Sequence, residues 1–142
     1  MKRILVGIDG SRESLQAAVL AANLAHATHR ELQLAHVLPD AVPTQPEAFS
    51  TEQAIWRKDV AEQGNKLLSE VTERVARPDT GSRSVLVESA RPAEALAELA
   101  REPDVDLVVV GHRGRSAMAR ALLGSVADRL VQISPKPVLV VR

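Results

Sequence analysis

Apolar residues follow two patterns that alternate along the chain. Short apolar runs, several rich in β-branched residues, predict five buried strands, at residues 4–8, 32–37, 84–88, 106–110 and 137–142. Between them, apolar residues at helical spacing predict four helices: one with Ser11 as its N-cap, one over 47–77, one opening at Pro92 and one over 126–133. The chain therefore alternates strand and helix throughout, with no hairpin signal.

This alternation predicts an α/β fold, an open parallel sheet of five strands with helices on both faces, in three layers. A chain of 142 residues suits a single domain over residues 1–142. Ligands of such Rossmann-like sheets bind outside the carboxyl ends of the strands, where the strand order reverses. Asp9, Val37 and Gly111 each stand at a predicted strand end, so they are candidates for a site at that edge.

A glycine-containing loop follows the fourth predicted strand. It reads Gly-His-Arg-Gly at 111–114, then nine residues at 115–123, then Gly-Ser at 124–125, where the last helix begins. A helix start offers unpaired N–H groups and a positive dipole end, and glycines permit close approach, so this loop predicts a phosphate site. Arg113 would add a fixed positive charge, and Ser125 a hydroxyl and an N–H. The alternative is that the glycines mark only tight turns and a helix boundary; the spacing matches neither a P-loop nor the dinucleotide-binding fingerprint.

Two polar residues near this loop allow more than one interpretation. A carboxylate at Asp9 could accept hydrogen bonds from a ribose or hold Mg²⁺ that bridges to phosphates, or it could cap the helix that follows. His112 is interpreted as a surface residue rather than a catalytic one, because no nucleophile or partner carboxylate has a fixed spacing to it. His36 is interpreted as a packed or rim residue of the second strand.

Composition narrows the function classes. Lys plus Arg equals Asp plus Glu, 18 of each, which argues against a general nucleic-acid or membrane-surface binder. There is no cysteine, so disulfides and thiolate chemistry are excluded. No apolar run is long enough to span a bilayer, and the apolar run near Met1 is too short for a signal peptide, so a cytoplasmic location is expected.

The last predicted strand has a consequence for assembly. Four consecutive apolar residues, 138–141, come after the last predicted helix, and an exposed edge strand is a template for pairing with another chain. We therefore expect a twofold homodimer in which this strand meets its copy.

Several motifs together resemble the universal stress protein family, in its ATP-binding branch. They are the loop motif of 111–125, Asp-Gly-Ser at 9–11, His-Val at 36–37, Pro-Ala-Glu-Ala at 92–95 and the closing run 137–141. They stand in the family's order and cover the whole chain. One departure is Ala90, two residues before the proline of the third helix, where the family commonly has glycine.

The resemblance implies a sheet in the order 3-2-1-4-5, of the adenine nucleotide alpha hydrolase-like type, and a homodimer through Val138–Val141. It also implies ATP or AMP between the first and fourth strands, with Mg²⁺ at Asp9 as an option. By position, Ile8 and Asp9 would meet the adenosine and the Val37 backbone the base. Ribose and phosphates would be surrounded by Gly111, Arg113, Gly114, Gly124, Ser125 and Val126.

The function that these features favour is a dimeric, nucleotide-dependent regulator of the stress response with an unidentified protein partner, and at most slow ATP hydrolysis. One alternative is a phospho-acceptor receiver domain, because Lys136-Pro137 resembles the lysine-proline pair near the end of that family's sequences. A receiver, however, needs an acidic cluster after the first strand and an aspartate after the third, where this chain has Asp9 alone and Glu88. Further alternatives are a nucleotidyl-transferring enzyme, for which the chain is short, and a partner-binding module in which ATP is only structural.

Overall fold

The computed structural model describes residues 1–38, 51–113 and 123–142, in which five strands alternate with four helices. The strands are β1 (Arg3–Ile8), β2 (Glu31–Leu38), β3 (Ser82–Glu88), β4 (Val105–Gly111) and β5 (Val138–Val141). The helices are α1 (Arg12–Ala27), α2 (Thr51–Val75), α3 (Pro92–Leu99) and α4 (Ser125–Ile133). The predicted strands are all confirmed, and so are the helices, with residues 47–50 of the second one outside the described part.

All five strands form one parallel sheet in the order β3-β2-β1-β4-β5. The central strand, β1, pairs with β2 as far as Ile8 opposite His36, and with β4 as far as Val6 opposite Val109. The α/β fold class and the strand order are thus confirmed. Because successive strands leave β1 first on one side and then on the other, the order reverses between β1 and β4, which is where such sheets hold a ligand.

Each face of the sheet carries its own apolar core. Helices α1 and α2 cover one face, and α1 approaches closely because the residues it buries there are small: Ser14, Ala17, Ala18, Ala21, Ala22 and Ala25. Helices α3 and α4 cover the other face, with Leu96 and Leu130 buried against alternate residues of the strands. Since β1 and β4 are covered on both faces, their side chains are nearly all apolar, as their sequence runs predict.

Some element bounds differ from the prediction for local reasons. β3 begins two residues early, at Ser82, because Ser82 pairs with Leu32 of β2 and Gly81 accepts the N–H of Leu32. α2 ends at Val75 rather than near Arg77, which precedes a proline and is therefore disfavoured in helical conformation. Neither difference moves the carboxyl edge of the sheet.

A buried arginine joins the strands at their amino ends. The side chain of Arg3 is 6% exposed, and its Nη1 donates to Gln33 Oε1 at 2.9 Å and to Glu102 Oε2 at 2.5 Å. Glu31 lies 3.6 Å from its Nε. This group is at the opposite edge from the candidate site, so it contributes to the scaffold. Among the described helices, none combines the length and the apolar character that crossing a membrane requires.

Candidate functional site

The turn from β1 into α1 is held by side chains of its own residues. Gly10 has a φ of 83°, a conformation that favours glycine. Asp9 Oδ1 accepts the N–H of Ser11 at 2.9 Å, and Ser11 Oγ accepts the N–H of Ser14 at 3.1 Å. Ser11 is therefore the N-cap of α1, as predicted, and one carboxylate oxygen of Asp9 supports the turn that leads into this helix.

The loop after β4 is tied to the sheet where it leaves and where it returns. The N–H of His112 donates to the Val141 carbonyl of β5 at 2.6 Å, and the His112 carbonyl accepts the N–H of Gly124 at 2.8 Å. The start of α4 is thereby attached to the end of β4, although eleven residues, 113–123, lie between His112 and Gly124 in sequence. Gly114 and residues 115–122 lie outside the described part of the chain, so the predicted role of Gly114 stays a prediction.

The two helix starts at this edge differ in how their N–H groups are satisfied. α1 has the Ser11 hydroxyl as its cap, whereas α4 begins after Gly124, which is extended at φ −65° and ψ 155° and has no side chain to accept a bond. The first helical bond of α4 is from the Asp128 N–H to the Gly124 carbonyl, at 2.9 Å. Ser125 and Val126 therefore stand in the first turn of a helix that has no side-chain cap within the described residues.

Gly111 brings the end of β4 against the first turn of α1. A Cβ on Gly111 would lie 2.8 Å from the carbonyl carbon of Glu13 and 3.0 Å from its oxygen. Since real Cβ atoms do not approach backbone so closely, only glycine allows α1 to sit this near to β4. Glycine is thus required at position 111 because β4 packs closely against α1. The sequence motif indicates a different reason, the close approach of a phosphate.

The remaining predicted residues lie at neighbouring strand ends. Ile8 ends β1 opposite His36 of β2, and Val37 is the next residue of β2, with its side chain on the α3–α4 side of the sheet. His36 is interpreted from the sequence as a packed or rim residue. The structure adds a specific hydrogen-bond partner, since His36 Nδ1 lies 2.6 Å from the Ile8 carbonyl oxygen. Arg113 follows Gly111 and His112 as a half-buried residue.

The sequence-predicted residues therefore fall into two groups at one edge. Ile8, Asp9 and Val37 are on β1, its turn and β2; Gly111, Arg113, Gly124, Ser125 and Val126 are on β4 and the α4 start that is bonded to it. Ala90, the departure from the family pattern, is exposed in the turn between β3 and α3. The described residues contain no group of three His, Asp or Glu side chains that could hold a metal ion.

One ion pair connects α4 to its neighbour on the same face. Arg129 Nε of α4 donates to Glu94 Oε1 of α3 at 3.1 Å. A bond from the backbone N–H of Glu94 itself, and then the bond from Arg129, hold the pKa of the Glu94 carboxyl below its ordinary value. The Pro-Ala-Glu-Ala motif thus supplies both the start of α3 and an exposed ion pair with α4.

Known proteins are similar to this chain in sequence and in fold. The model of the universal stress protein family matches residues 1–142. Universal stress protein YxiE of Bacillus subtilis is 35% identical over 149 aligned positions, which cover 99% of this chain and 98% of YxiE. The structure of UspA from Lactobacillus plantarum superposes with a TM-score of 0.88, covering 99% of this chain and 97% of its own, at 23% identity.

Solved structures with this fold also hold adenine nucleotides. A universal stress protein in complex with cAMP is 31% identical, with a TM-score of 0.69 and coverage of 99% of this chain and 97% of its own. Structures from Archaeoglobus fulgidus with dAMP and from Arabidopsis thaliana with AMP, at 21% and 17% identity, share the fold. The family match along the whole chain, the YxiE identity and the strand order lead to one conclusion: the chain belongs to the universal stress protein family.

Proposed function

We propose that this protein binds an adenine nucleotide, ATP or AMP, between β1 and β4 and acts as a dimeric, nucleotide-dependent regulator in the stress response. The observation that carries the proposal is the bond between Gly124 and His112, which holds the start of α4 at the end of β4. Among the described residues, no side chain caps this helix start. An uncapped helix start attracts phosphate through its N–H groups and its dipole. The cAMP complex of a relative 31% identical to this chain supports an adenine nucleotide as the ligand class.

The proposed contacts divide between the two halves of the edge. The nucleoside lies at the ends of β1 and β2, with Ile8 and Asp9 beside the adenosine and the Val37 backbone beside the base. The apolar character of β1 and β2 suits a base held by aliphatic side chains and backbone, in a chain with one Phe, one Trp and no Tyr. Ribose and phosphates lie at the β4 and α4 side, against Gly111, Arg113, Gly114, Gly124, Ser125 and Val126.

Magnesium is proposed only as an ion that arrives with the phosphates. Asp9 is the carboxylate that would hold it, and its Oδ1 accepts the N–H of Ser11. Mg²⁺ is commonly bound by one or two carboxylates together with phosphate oxygens and water, so a single protein carboxylate fits that pattern. The ion would offset phosphate charge, while Asp9 orients it relative to β1.

We assign no residue as a general base, and hydrolysis is proposed as slow at most. In this proposal the nucleotide acts by occupancy. Bound phosphates stabilise the start of α4, and α4 is connected to β5 by the four residues 134–137. A protein partner of unidentified nature would respond to that change. A module in which the nucleotide is only structural would bind ATP equally well but would show no difference in partner capture between the free and bound forms.

Homodimerisation is proposed through β5. This strand is at the edge of the sheet, its four residues Val138–Val141 are apolar and half-buried, and it is paired only with β4 among the described strands. Sedimentation equilibrium at micromolar concentration is expected to give twice the mass of the 15.3 kDa chain. A monomer under those conditions would contradict the dimer while leaving nucleotide binding open.

Isothermal titration with ATP, AMP and GTP tests the nucleotide site. We expect saturable binding of ATP and AMP, weaker binding of GTP, and an increase in melting temperature, because a ligand of the native state stabilises it by mass action. In Gly124→Leu, the side chain should fill the phosphate approach and abolish binding. Absence of ATP and AMP binding by the folded wild-type protein would refute the proposal.

A further inference from the structure

The peptide bond between Ile8 and Asp9 is held on both of its polar sides by side chains from other parts of the chain. Its carbonyl oxygen, on Ile8, is 2.6 Å from Nδ1 of His36. Its N–H, on Asp9, donates to the hydroxyl of Ser14 at 3.3 Å. A peptide plane restrained from both sides cannot rotate without losing one of these bonds.

The partner of His36 determines where the ring carries its proton. A carbonyl oxygen can only accept, so Nδ1 must be the donor. In the neutral ring the hydrogen is then on Nδ1, and Nε2 is the acceptor. This assignment follows from geometry and can be tested by spectroscopy, independently of any ligand.

Helix α2 restrains the His36 ring from the side opposite β1. Gly64 is buried there, and a Cβ on it would lie 3.1 Å from His36 Cδ2 and 2.8 Å from Leu86 Cδ1. The helix therefore approaches the ring as closely as a glycine permits. Position 64 is otherwise a costly place for glycine, since it weakens the interior of a helix. The ring of His36 is therefore packed against α2 on one side and bonded to the Ile8 carbonyl through Nδ1.

The restrained peptide lies where the proposed nucleotide would meet the sheet. Ile8 is the last residue of the central strand, at the point where the strand order reverses. Asp9 follows it, and the direction of its side chain depends on the plane of the peptide that precedes it. The same Asp9 carboxylate accepts from Ser11 in the turn. A change at His36 would thus be transmitted to the carboxylate without any contact between His36 and a ligand.

We propose that His36 is a positioning residue of the nucleotide site, which acts by holding the Ile8–Asp9 peptide in the orientation that nucleotide binding needs. The inference rests on the proposed function and extends it to a residue outside the predicted set of ligand contacts. Ser14 is its counterpart on the N–H side of the same peptide.

Three substitutions at His36 separate the donor from the bulk of the ring. In His36→Asn the amide nitrogen is attached to Cγ, as Nδ1 is, so a donor is retained at the same number of bonds from the backbone. His36→Gln places its amide nitrogen at the position of Nε2 instead, and His36→Leu removes the donor. By titration calorimetry with AMP, we expect binding about five- to tenfold weaker in the Leu and Gln variants and within about twofold of wild type in the Asn variant.

A role in stability alone would give a different result. The melting temperatures of the nucleotide-free variants would then differ from one substitution to the next, but the AMP affinity of the folded fraction would be the same in all of them. Equal affinities in wild type, Asn and Gln variants would overturn the proposal, and so would a failure of Asn to rescue. If the Leu variant does not fold, the comparison of Asn with Gln still decides, because both are polar and differ in donor position.

Imidazole nitrogen NMR of the wild-type protein completes the test. We expect a protonated Nδ1 and, in the neutral ring, an unprotonated Nε2; the opposite tautomer would overturn the proposal. The two levels of failure are distinguishable. Absence of AMP and ATP binding by wild type refutes the proposed function and the role of His36 with it, whereas binding that is insensitive to the donor at position 36 refutes only the role of His36.

Discussion

The N–H of Gly124 donates to the carbonyl of His112 at 2.8 Å, and this bond joins the start of α4 to the end of β4. The N–H of the same His112 is bonded to Val141 of β5, so one residue connects the loop, the last helix and the edge strand. The start of α4 is therefore linked through His112 to the strand proposed to form the dimer. If the proposed nucleotide site and the proposed dimer are both correct, this link would connect them.

No side chain of the described residues caps the start of α4, so one substitution there should have opposite effects on stability and on ATP binding. In Gly124→Asp, a carboxylate can cap the helix, so the free energy of unfolding should rise by a few tenths of a kcal/mol. The same charge would repel phosphate, and we expect ATP affinity to fall about tenfold or more. Gly124→Asn is the matched control, because it caps equally well without the charge. Because a side chain at position 124 also fills part of the phosphate approach, both variants should bind ATP more weakly than wild type does. An ATP affinity at the wild-type level in either variant would contradict a phosphate site at this position.

The two roles considered for Asp9 can be separated by substitution. Asp9→Asn keeps an oxygen that can accept the N–H of Ser11, whereas Asp9→Ala loses it. We expect Asn to retain most of the stability and Ala to lose about 1 kcal/mol. If Asp9 also holds Mg²⁺, both variants should lose the magnesium dependence of ATP affinity in calorimetry with and without a chelator. Unchanged magnesium dependence in both would assign Asp9 to the turn alone.

The contact of Gly111 with α1 predicts a cost in stability that is independent of nucleotide. The new methyl group in Gly111→Ala would meet backbone atoms of Glu13 at 2.8 to 3.0 Å, and backbone cannot yield as a side chain can. We expect a loss of about 1–3 kcal/mol in urea unfolding. Gly81→Ala is the control, since its nearest contact would be a Glu31 side-chain atom at 3.5 Å, and it should change stability by about 0.5 kcal/mol or less.

At the amino end of the sheet, burial rather than the number of ion pairs should decide how much each arginine contributes to the free energy of unfolding. Arg3 and Arg83 both lie near Glu31, but their side chains are 6% and 52% exposed. Arg3→Met would leave the buried side-chain Oε1 of Gln33 without its donor, so we expect a loss of about 1–3 kcal/mol in the free energy of unfolding. Arg83→Met should cost less than about 1 kcal/mol. Similar losses for both, measured by urea unfolding, would contradict this view.

The lowered pKa of Glu94 predicts a pH dependence of stability. Because the folded state favours the carboxylate, its stabilisation is present above the ordinary glutamate pKa of 4.5 and is lost as pH falls through the lower pKa of the folded state. The stability difference between wild type and Glu94→Gln should therefore be positive at neutral pH and shrink below about pH 4.5. Arg129→Met, which leaves the backbone bond to Glu94, should show a smaller change over the same range in thermal unfolding.

Local signals in the sequence were sufficient for the secondary structure. The β-branched runs, the Ser11 cap and Pro92 at the start of α3 depend on residues close in sequence, and the structure confirms each. The alternation of strands and helices predicted the fold class for the same reason. It did not yield the strand order, since many orders share that alternation, and the order 3-2-1-4-5 came from the resemblance.

The candidate site was predicted to the extent that it consists of strand ends. Parallel strands bring their carboxyl ends to one edge of the sheet. The sequence alone therefore predicted that Asp9, Val37 and Gly111 lie at the same edge. The bond between Gly124 and His112 could not be predicted, because the sequence between these residues has no periodic pattern of apolar positions that would indicate how the chain returns. Gly114 lies in that part and remains a prediction.

The sequence by itself determined which residues form strands and helices and which ones lie at the carboxyl edge of the sheet, because those properties depend on neighbours along the chain. Three contacts were decided by the tertiary structure alone. Gly111 packs against the backbone of Glu13, and the His36 ring bonds the Ile8 carbonyl while it packs against Gly64. Arg3 is buried among acidic partners. Each of these contacts joins residues far apart in sequence. Their energies come from close packing and desolvation, which exist only after the sheet and helices have assembled.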